Sequence, residues 1–248
     1  MAKTLFLIPN LLGEVEIESS LPAGAISVVR GIKHFFVEED KSARRLIKAC
    51  GVPTPFTDIT FYRLDKRTTT GELEEYWLES GENDIGVLSE AGCPGIADPG
   101  AKAVRMAHTK GWQVKPLAGP SSILLALMAS GANGQSFIFH GYLPASPAAR
   151  IKKVQELDKQ AHETGYTQIF IETPYRNNYL LDAIIQVCSP ETRLCVAVEL
   201  TLPTEMIQTK TIARWKKVQT DLKDKPTVFL LWAEKPAAKE KNKRKHWY

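Results

Sequence analysis

Apolar positions along this chain follow two alternating rhythms. Short unbroken apolar runs read as strands, and stretches with apolar residues at helical spacing read as helices. TLFLIP (4–9) is the first strand, followed by a polar loop. AISVVRGIKHFFVEED (25–40) reads as a helix leading into a strand at HFFVE. KSARRLIKACG (41–51) is a short helix with Gly51 as its stop. In TTTGELEEYWLESGE, Thr70 is the expected N-cap, with Leu73, Tyr76 and Trp77 on one face. DIGVLSE (84–90) is strand-like, AKAVRMAHTKG (101–111) is a helix ended by Gly111, and WQVKPLAG (112–119) returns to strand. In PLAGPSSILLALMASG (116–131) a strand ends at Leu117, Gly119-Pro120 turns the chain, and Ser121 and Ser122 open a very apolar helix.

The same alternation continues in the second half. Pro144 and Pro147 interrupt the chain after FIFHGYLP, and a charged helix follows to about His162. TQIFIETPYRNNYLLDAIIQVC (167–188) is strand, Thr-Pro turn and helix. TRLCVAVELTLPTEMIQTKTIARW (192–215) is a strand and loop followed by a strand or a helix, and KPTVFLLWAEK (225–235) is a final strand. No internal repeat is visible. Strand–helix alternation predicts an α/β fold with mainly parallel or mixed sheets. It divides into an N-terminal α/β domain at 1–117, a C-terminal α/β domain at 118–235, and a tail at 236–248.

Parallel sheets place ligands beyond the C-terminal ends of their strands. The stretch DIGVLSEAGCPGIADPG (84–100) stands at such an end, crowded with Gly and Pro. Those residues fix a loop's shape and let backbone approach a ligand closely. The serines after Gly119-Pro120 suit a helix N-cap, and their hydroxyls could equally hold a carboxylate or a ribose.

Composition adds little until charge is divided along the chain. A net charge of +4 over 248 residues hides a tail from Lys235 that alone contributes +5, so the rest carries −1. A basic tail of this kind can attract a phosphate backbone, or it can simply solubilise the chain. No apolar run approaches the roughly 18 residues of a spanning helix. MAKTLFLIPNLLGE has too short an apolar core for a secretory signal, so a cytoplasmic protein without a membrane partner is expected. Cys50, Cys93, Cys188 and Cys195 form no C-x-x-C pair and read as reduced thiols; the five histidines show no metal spacing. The chain lacks G-x-G-x-x-G, a P-loop, H-E-x-x-H and G-x-S-x-G. The sequence thus argues against a pyrophosphate cradle, a metal site and a serine-hydrolase elbow.

Several motifs, in order, resemble a known family. VLSEAGCPGIADPG is similar to SDAGTPGISDPG of the ribosomal RNA small-subunit methyltransferase I family, in the tetrapyrrole methylase superfamily of S-adenosylmethionine-dependent enzymes. PLAGPSSILLALMASG resembles its PLPGPSA…ALSASG, and FIFHGYLP its F-x-F-x-G-F-L-P. IFIETPYR resembles FYE-x-P-H-R, VELTLPTE resembles RELTK-x-x-E, and FVEEDKSARRLI resembles AEDTR-x-x-R-x-L-L.

The resemblance implies two α/β domains with S-adenosylmethionine in the cleft between them, and a homodimer. Glu90, Ala91, Gly92 and Cys93 would contact the donor after their strand, and Ser121 and Ser122 would form another wall. Ile171, Glu172 and Val198 would close the pocket, with Pro9 and Asn10 facing it. Methyl transfer from a sulfonium needs neither metal nor enzyme nucleophile, only donor and acceptor held in line. A ribose hydroxyl acceptor must lose its proton during attack. Glu39 and Asp40 are candidates for that step or for orienting the acceptor; they equally suit the N-terminus of a helix. The leading expectation is 2′-O-methylation of ribosomal RNA. Methylation of a small molecule or protein side chain, and a non-catalytic RNA-binding factor, are the alternatives. The family's TPIGN loop is replaced by Pro9-Asn10-Leu11-Leu12-Gly13 and its Asp in SDAG by Glu90, but the substrate-side motifs depart further: the Arg in EDTR is Ser42, and both cations of RELTK are lost, to Val198 and Leu202.

Overall fold

The structure is a computed structural model and describes residues 3–234. The basic tail, on which the expected attraction to RNA rests, lies outside the described residues. The chain forms two compact units. The first comprises Met1–Leu125 together with Glu199–Glu205; the second comprises Ala126–Val198 and Met206–Tyr248. The division falls inside a helix rather than at residue 117.

The first unit contains β1 (Thr4–Ile8), α1 (Ala23–Gly31), β2 (His34–Val37), α2 (Asp40–Ala49) and β3 (Thr60–Arg63). It continues with α3 (Thr70–Glu79), β4 (Ile85–Leu88), α4 (Ala101–Thr109), β5 (Gln113–Pro116) and the first half of α5 (Ser122–Ser130). Its five strands run parallel in the order β3-β2-β4-β1-β5. Alternation across the pleat assigns the two faces. Phe35, Val37 and Ile8 pack with Ile26, Val29, Leu46 and Ile47 of α1 and α2. Phe36, Leu5, Ile85 and Val87 pack with Leu73 and Trp77 of α3 and Met106 of α4. Both faces are therefore covered, and β4 at the centre is buried throughout. Gly86 sits where a Cβ would fall 2.7 Å from Ile8 Cδ1 and 2.8 Å from Phe35, so the large neighbours fill its space.

The cap of α3 differs from the expectation. Thr69, not Thr70, is the N-cap: its hydroxyl accepts the Glu72 N–H at 3.2 Å, and Glu72 accepts the Thr69 N–H at 2.7 Å. A capping box needs Thr and Glu three apart, which 69 and 72 satisfy and 70 and 73 do not.

The second unit continues through β6 (Phe137–Tyr142), α6 (Pro147–Thr164), β7 (Thr167–Ile171), α7 (Asn177–Val187) and β8 (Arg193–Val198). It closes with β9 (Met206–Thr211), α8 (Ile212–Trp215) and β10 (Thr227–Trp232). The sheet is mixed, in the order β6-β7-β10-β8-β9, with only β6 and β7 parallel. The segment that left strand and helix open contains both, β9 and then α8. The core stacks Phe170 on Phe229 with centroids 5.9 Å apart. Trp215 is fully buried and donates Nε1–H to the Leu194 carbonyl at 2.9 Å. Asp158 accepts from the Ser189 N–H and hydroxyl and from the Thr192 hydroxyl, tying α6 to the turn after α7.

Candidate functional site

Because β1, β4 and β5 are parallel neighbours, the loops that follow them emerge at one edge of the sheet. These are 9–14, 89–100 and 117–121, the places where the sequence concentrates Gly and Pro. Asn10 is 5% exposed and joins the first two loops. Its Nδ2 donates to the Ser89 and Glu90 carbonyls at 3.0 and 3.1 Å, and its Oδ1 accepts the Leu11 N–H at 2.9 Å. Its backbone exchanges two hydrogen bonds with Gly92, at 2.8 and 3.1 Å. The third loop packs against the others. A Cβ on Gly119 would lie 2.5 Å from Pro9 Cβ, and Cys93 Sγ donates to the Pro120 carbonyl at 3.4 Å.

The middle loop is held from within. Ser89 Oγ donates to the Gly92 carbonyl at 2.7 Å. Asp98 accepts from the Gly95 N–H and, at 2.8 Å, from the Gly100 N–H. Gly92, Gly95 and Ala97 have left-handed backbones, with φ of 70°, 82° and 62°. Gly92 needs its glycine for that conformation, and a side chain would also face Leu12 and the Pro120 carbonyl. Pro9, Asn10, Gly92, Cys93 and Ser121 are thus brought together. Glu90 and Ala91 stand exposed on the same loop, and Ser122 begins α5 beside Ser121.

The acids after β2 divide their roles. Glu39 is the N-cap of α2, accepting the N–H groups of Lys41 at 3.0 Å and Ser42 at 2.6 Å. Those bonds hold its pKa below the usual carboxylate value, the Ser42 N–H contributing most. Asp40 is the exposed first residue of the helix. The sequence reading passed over Glu38. Val37 pairs with Leu88, so Glu38 comes beside Ser89 and the middle loop. Burial raises its pKa, and the negative charges of Asp98 and Glu90 raise it further. Burial also raises the pKa of Asp98, against the pull of the Gly100 and Gly95 N–H groups. The missed signal was position: Glu38 is the first residue beyond a parallel strand.

In the second unit, Ile171 ends β7 and Val198 ends β8; they pair with Val228 and Thr227 on either side of β10. Glu172 is buried with its carboxylate occupied. Arg176 donates to both oxygens at 2.8 and 2.9 Å, and the Thr173 N–H donates at 2.6 Å. Segment 199–205, part of the first unit, holds a residue that sequence reasoning missed. Thr201 has φ of 74°, a rare conformation for a β-branched residue, and its Oγ1 is buried without a hydrogen-bond partner. Next to it, Leu202 occupies the space over Gly13: a Cβ there would fall 2.5 Å from its Cδ2. Among the described residues no group of His, Cys, Asp or Glu is arranged to hold a metal ion. No helix among them is long and apolar enough to cross a membrane.

No family model matches the chain. It is 31% identical over 212 residues to ribosomal RNA small subunit methyltransferase I of Pseudomonas aeruginosa, covering 86% of this chain and 71% of that protein. Its likeness to the enzyme of the same name from Xylella fastidiosa is 31% over 210 residues, covering 85% and 73%. With the Bacillus subtilis enzyme it is 30% over 197 residues, covering 79% of this chain but only 63% of that protein. The crystal structure of the methyltransferase CobJ matches with a TM-score of 0.62 at 15% identity, over 94% of this chain and 95% of that one, and so shares the fold. With nearly a third of its residues matched along more than two thirds of two such relatives, the chain belongs to the ribosomal RNA small subunit methyltransferase I family.

Proposed function

We propose that this protein transfers a methyl group from S-adenosylmethionine to a ribose 2′-oxygen of ribosomal RNA, acting as a cytoplasmic homodimer. The observation that carries the reading is the interlocking of the loops around Asn10, Gly92 and Gly119 at the C-terminal edge of a parallel sheet, in a chain of this family. The residues present suit the donor. Gly92 keeps side-chain atoms away from the loop backbone, and Glu90 offers an exposed carboxylate to a cationic ligand.

When bound, the donor supplies an electrophilic methyl on a positively charged sulfur. Glu90, Ala91, Gly92 and Cys93 hold it from the middle loop, Pro9 and Asn10 from the first, and Ser121 and Ser122 from the third. The resemblance also assigns Ile171, Glu172 and Val198 to donor contact; the Glu172 carboxylate is engaged by Arg176. Asp40 orients the acceptor hydroxyl. Glu39 acts indirectly, by fixing the start of the helix that carries Asp40.

Two measurements test this. Calorimetry should show S-adenosylmethionine binding without added metal, and Gly92→Val should abolish it in a folded protein. Mapping ribose methylation in ribosomal RNA from cells with and without the gene should reveal one missing site. Absence of donor binding would overturn the whole reading. Donor binding with an unchanged methylation map would overturn the RNA acceptor alone.

A further inference from the structure

Helix α2 carries a basic stripe that its own stability does not explain. Its buried face is Ala43, Leu46 and Ile47, and the exposed face holds Lys41, Arg44, Arg45 and Lys48. Of these four, Arg45 alone has a carboxylate partner among the described residues, Glu14 at 3.0 Å. Lys48, in the last turn, complements the helix dipole; Lys41, in the first turn, opposes it. Lys41 and Arg45, and Arg44 and Lys48, are like-charged pairs four apart, which destabilise a helix. These two like-charged pairs oppose the helix, against a single opposite-charge pair at the same spacing, Asp40 and Arg44.

Arg44 is already ordered. Its guanidinium lies 4.6 Å from the centre of the Phe61 ring and 5.3 Å from that of Phe56, and Phe56 is 37% exposed. Stacking occupies the guanidinium's face and leaves its N–H edge to hold an anion. Lys41, Arg44 and Lys48 lie three and four residues apart, a stripe about 10 Å long at 1.5 Å rise per residue. Three long cationic side chains spread over that length can each reach a separate phosphate of one strand. The stripe begins at the edge of the sheet where Glu38 and the middle loop lie.

We propose that Lys41, Arg44 and Lys48 form the surface on which the phosphate backbone of the acceptor RNA docks. The inference rests on the reading of RNA as the acceptor and names the face that receives it.

The test is filter binding of in vitro transcribed 16S ribosomal RNA to the full chain between 50 and 300 mM KCl. The variant is Lys41→Gln/Arg44→Gln/Lys48→Gln, and the control Lys110→Gln/Lys152→Gln/Lys216→Gln removes the same charge elsewhere. Each lost phosphate contact should flatten the slope of log affinity against log salt by about 0.7, so the variant should lose about 2. The control should keep the parent slope. Calorimetric affinity for S-adenosylmethionine should stay at the parent value, and a melting curve that remains a single cooperative transition shows that the variant is folded. A parent-like slope in the variant, or an equal loss in the control, overturns the docking surface and leaves the RNA reading standing. Absence of salt-dependent RNA binding by the parent overturns both.

Discussion

Asn10 offers the sharpest test of how the site is built, because two substitutions there should diverge. Asn10→Ala removes two donated hydrogen bonds, to the Ser89 and Glu90 carbonyls, and one accepted from the Leu11 N–H. At about 1 kcal/mol for each bond, and more where a buried carbonyl is left unpaired, the cost should be about 2–4 kcal/mol. Asn10→Asp retains the shape and the acceptor for Leu11. It replaces the donor with a carboxylate oxygen about 3 Å from two carbonyl oxygens, and should cost about 3–5 kcal/mol at pH 7.5. The introduced carboxyl could donate again once protonated, so its folded pKa should be raised. The deficit of Asn10→Asp should then shrink at pH 5 and widen as pH rises through that pKa. Hydrogen exchange of first-unit amides is the suitable assay, since it does not mix in the unfolding of the second unit. If Asn10→Asp is as stable as the parent, or milder than Asn10→Ala, the donated bonds are not what joins the loops.

Four further outcomes follow from the same edge of the sheet. Glu38→Gln should be more stable than the parent at neutral pH and equal to it below the carboxylate range; the raised pKa means that its charged form opposes folding, and parallel melting curves at pH 3.5 and 7.5 would show a mistake. Glu39→Ala should destabilise α2 near neutrality, with the effect fading as pH falls through the depressed Glu39 pKa. Asp40→Asn should lower turnover with donor affinity unchanged, and the reverse pattern in these two variants would exchange their assigned roles. Cys93 should be the first thiol alkylated in the folded protein, because Cys50, Cys188 and Cys195 are 0–5% exposed and burial pushes the Cys50 thiol to about 11. S-adenosylmethionine should slow that reaction, which mass spectrometry of labelled peptides reads directly; equal rates with and without donor would remove Cys93 from the site.

The elements were legible where local chemistry decides them. HFFV at 34–37 alternates Phe35 and Phe36 between two cores, and Gly111 and Gly51 follow their helices with left-handed backbones. The loops were legible too, because Gly92 takes a left-handed backbone and Gly119 leaves no room for a Cβ against Pro9 and Leu21, and glycine meets both demands. The strand order β3-β2-β4-β1-β5 was not, since it depends on which helix crosses which face rather than on any single segment. Glu38 was passed over for a similar reason. Composition marks both Glu38 and Glu39 as acids, and only the register of Val37 with Leu88 separates the one beside the middle loop from the one that caps a helix. Thr201 left no trace in the pattern, because a left-handed threonine looks like any strand-forming residue until its backbone is drawn.

The placement of Glu199–Glu205 in the first unit has a consequence for how the protein is made. Translation delivers Met1–Leu125 first, but the remaining piece of that unit arrives only after most of the second has been synthesised. At about 5–20 residues per second, the intervening Ala126–Val198 imposes a wait of roughly 4–15 s. Until Leu202 emerges, nothing occupies the space over Gly13, and the first loop of the site stays unsealed. The amino-terminal unit therefore gains the cover over its first loop only after Val198 has been translated.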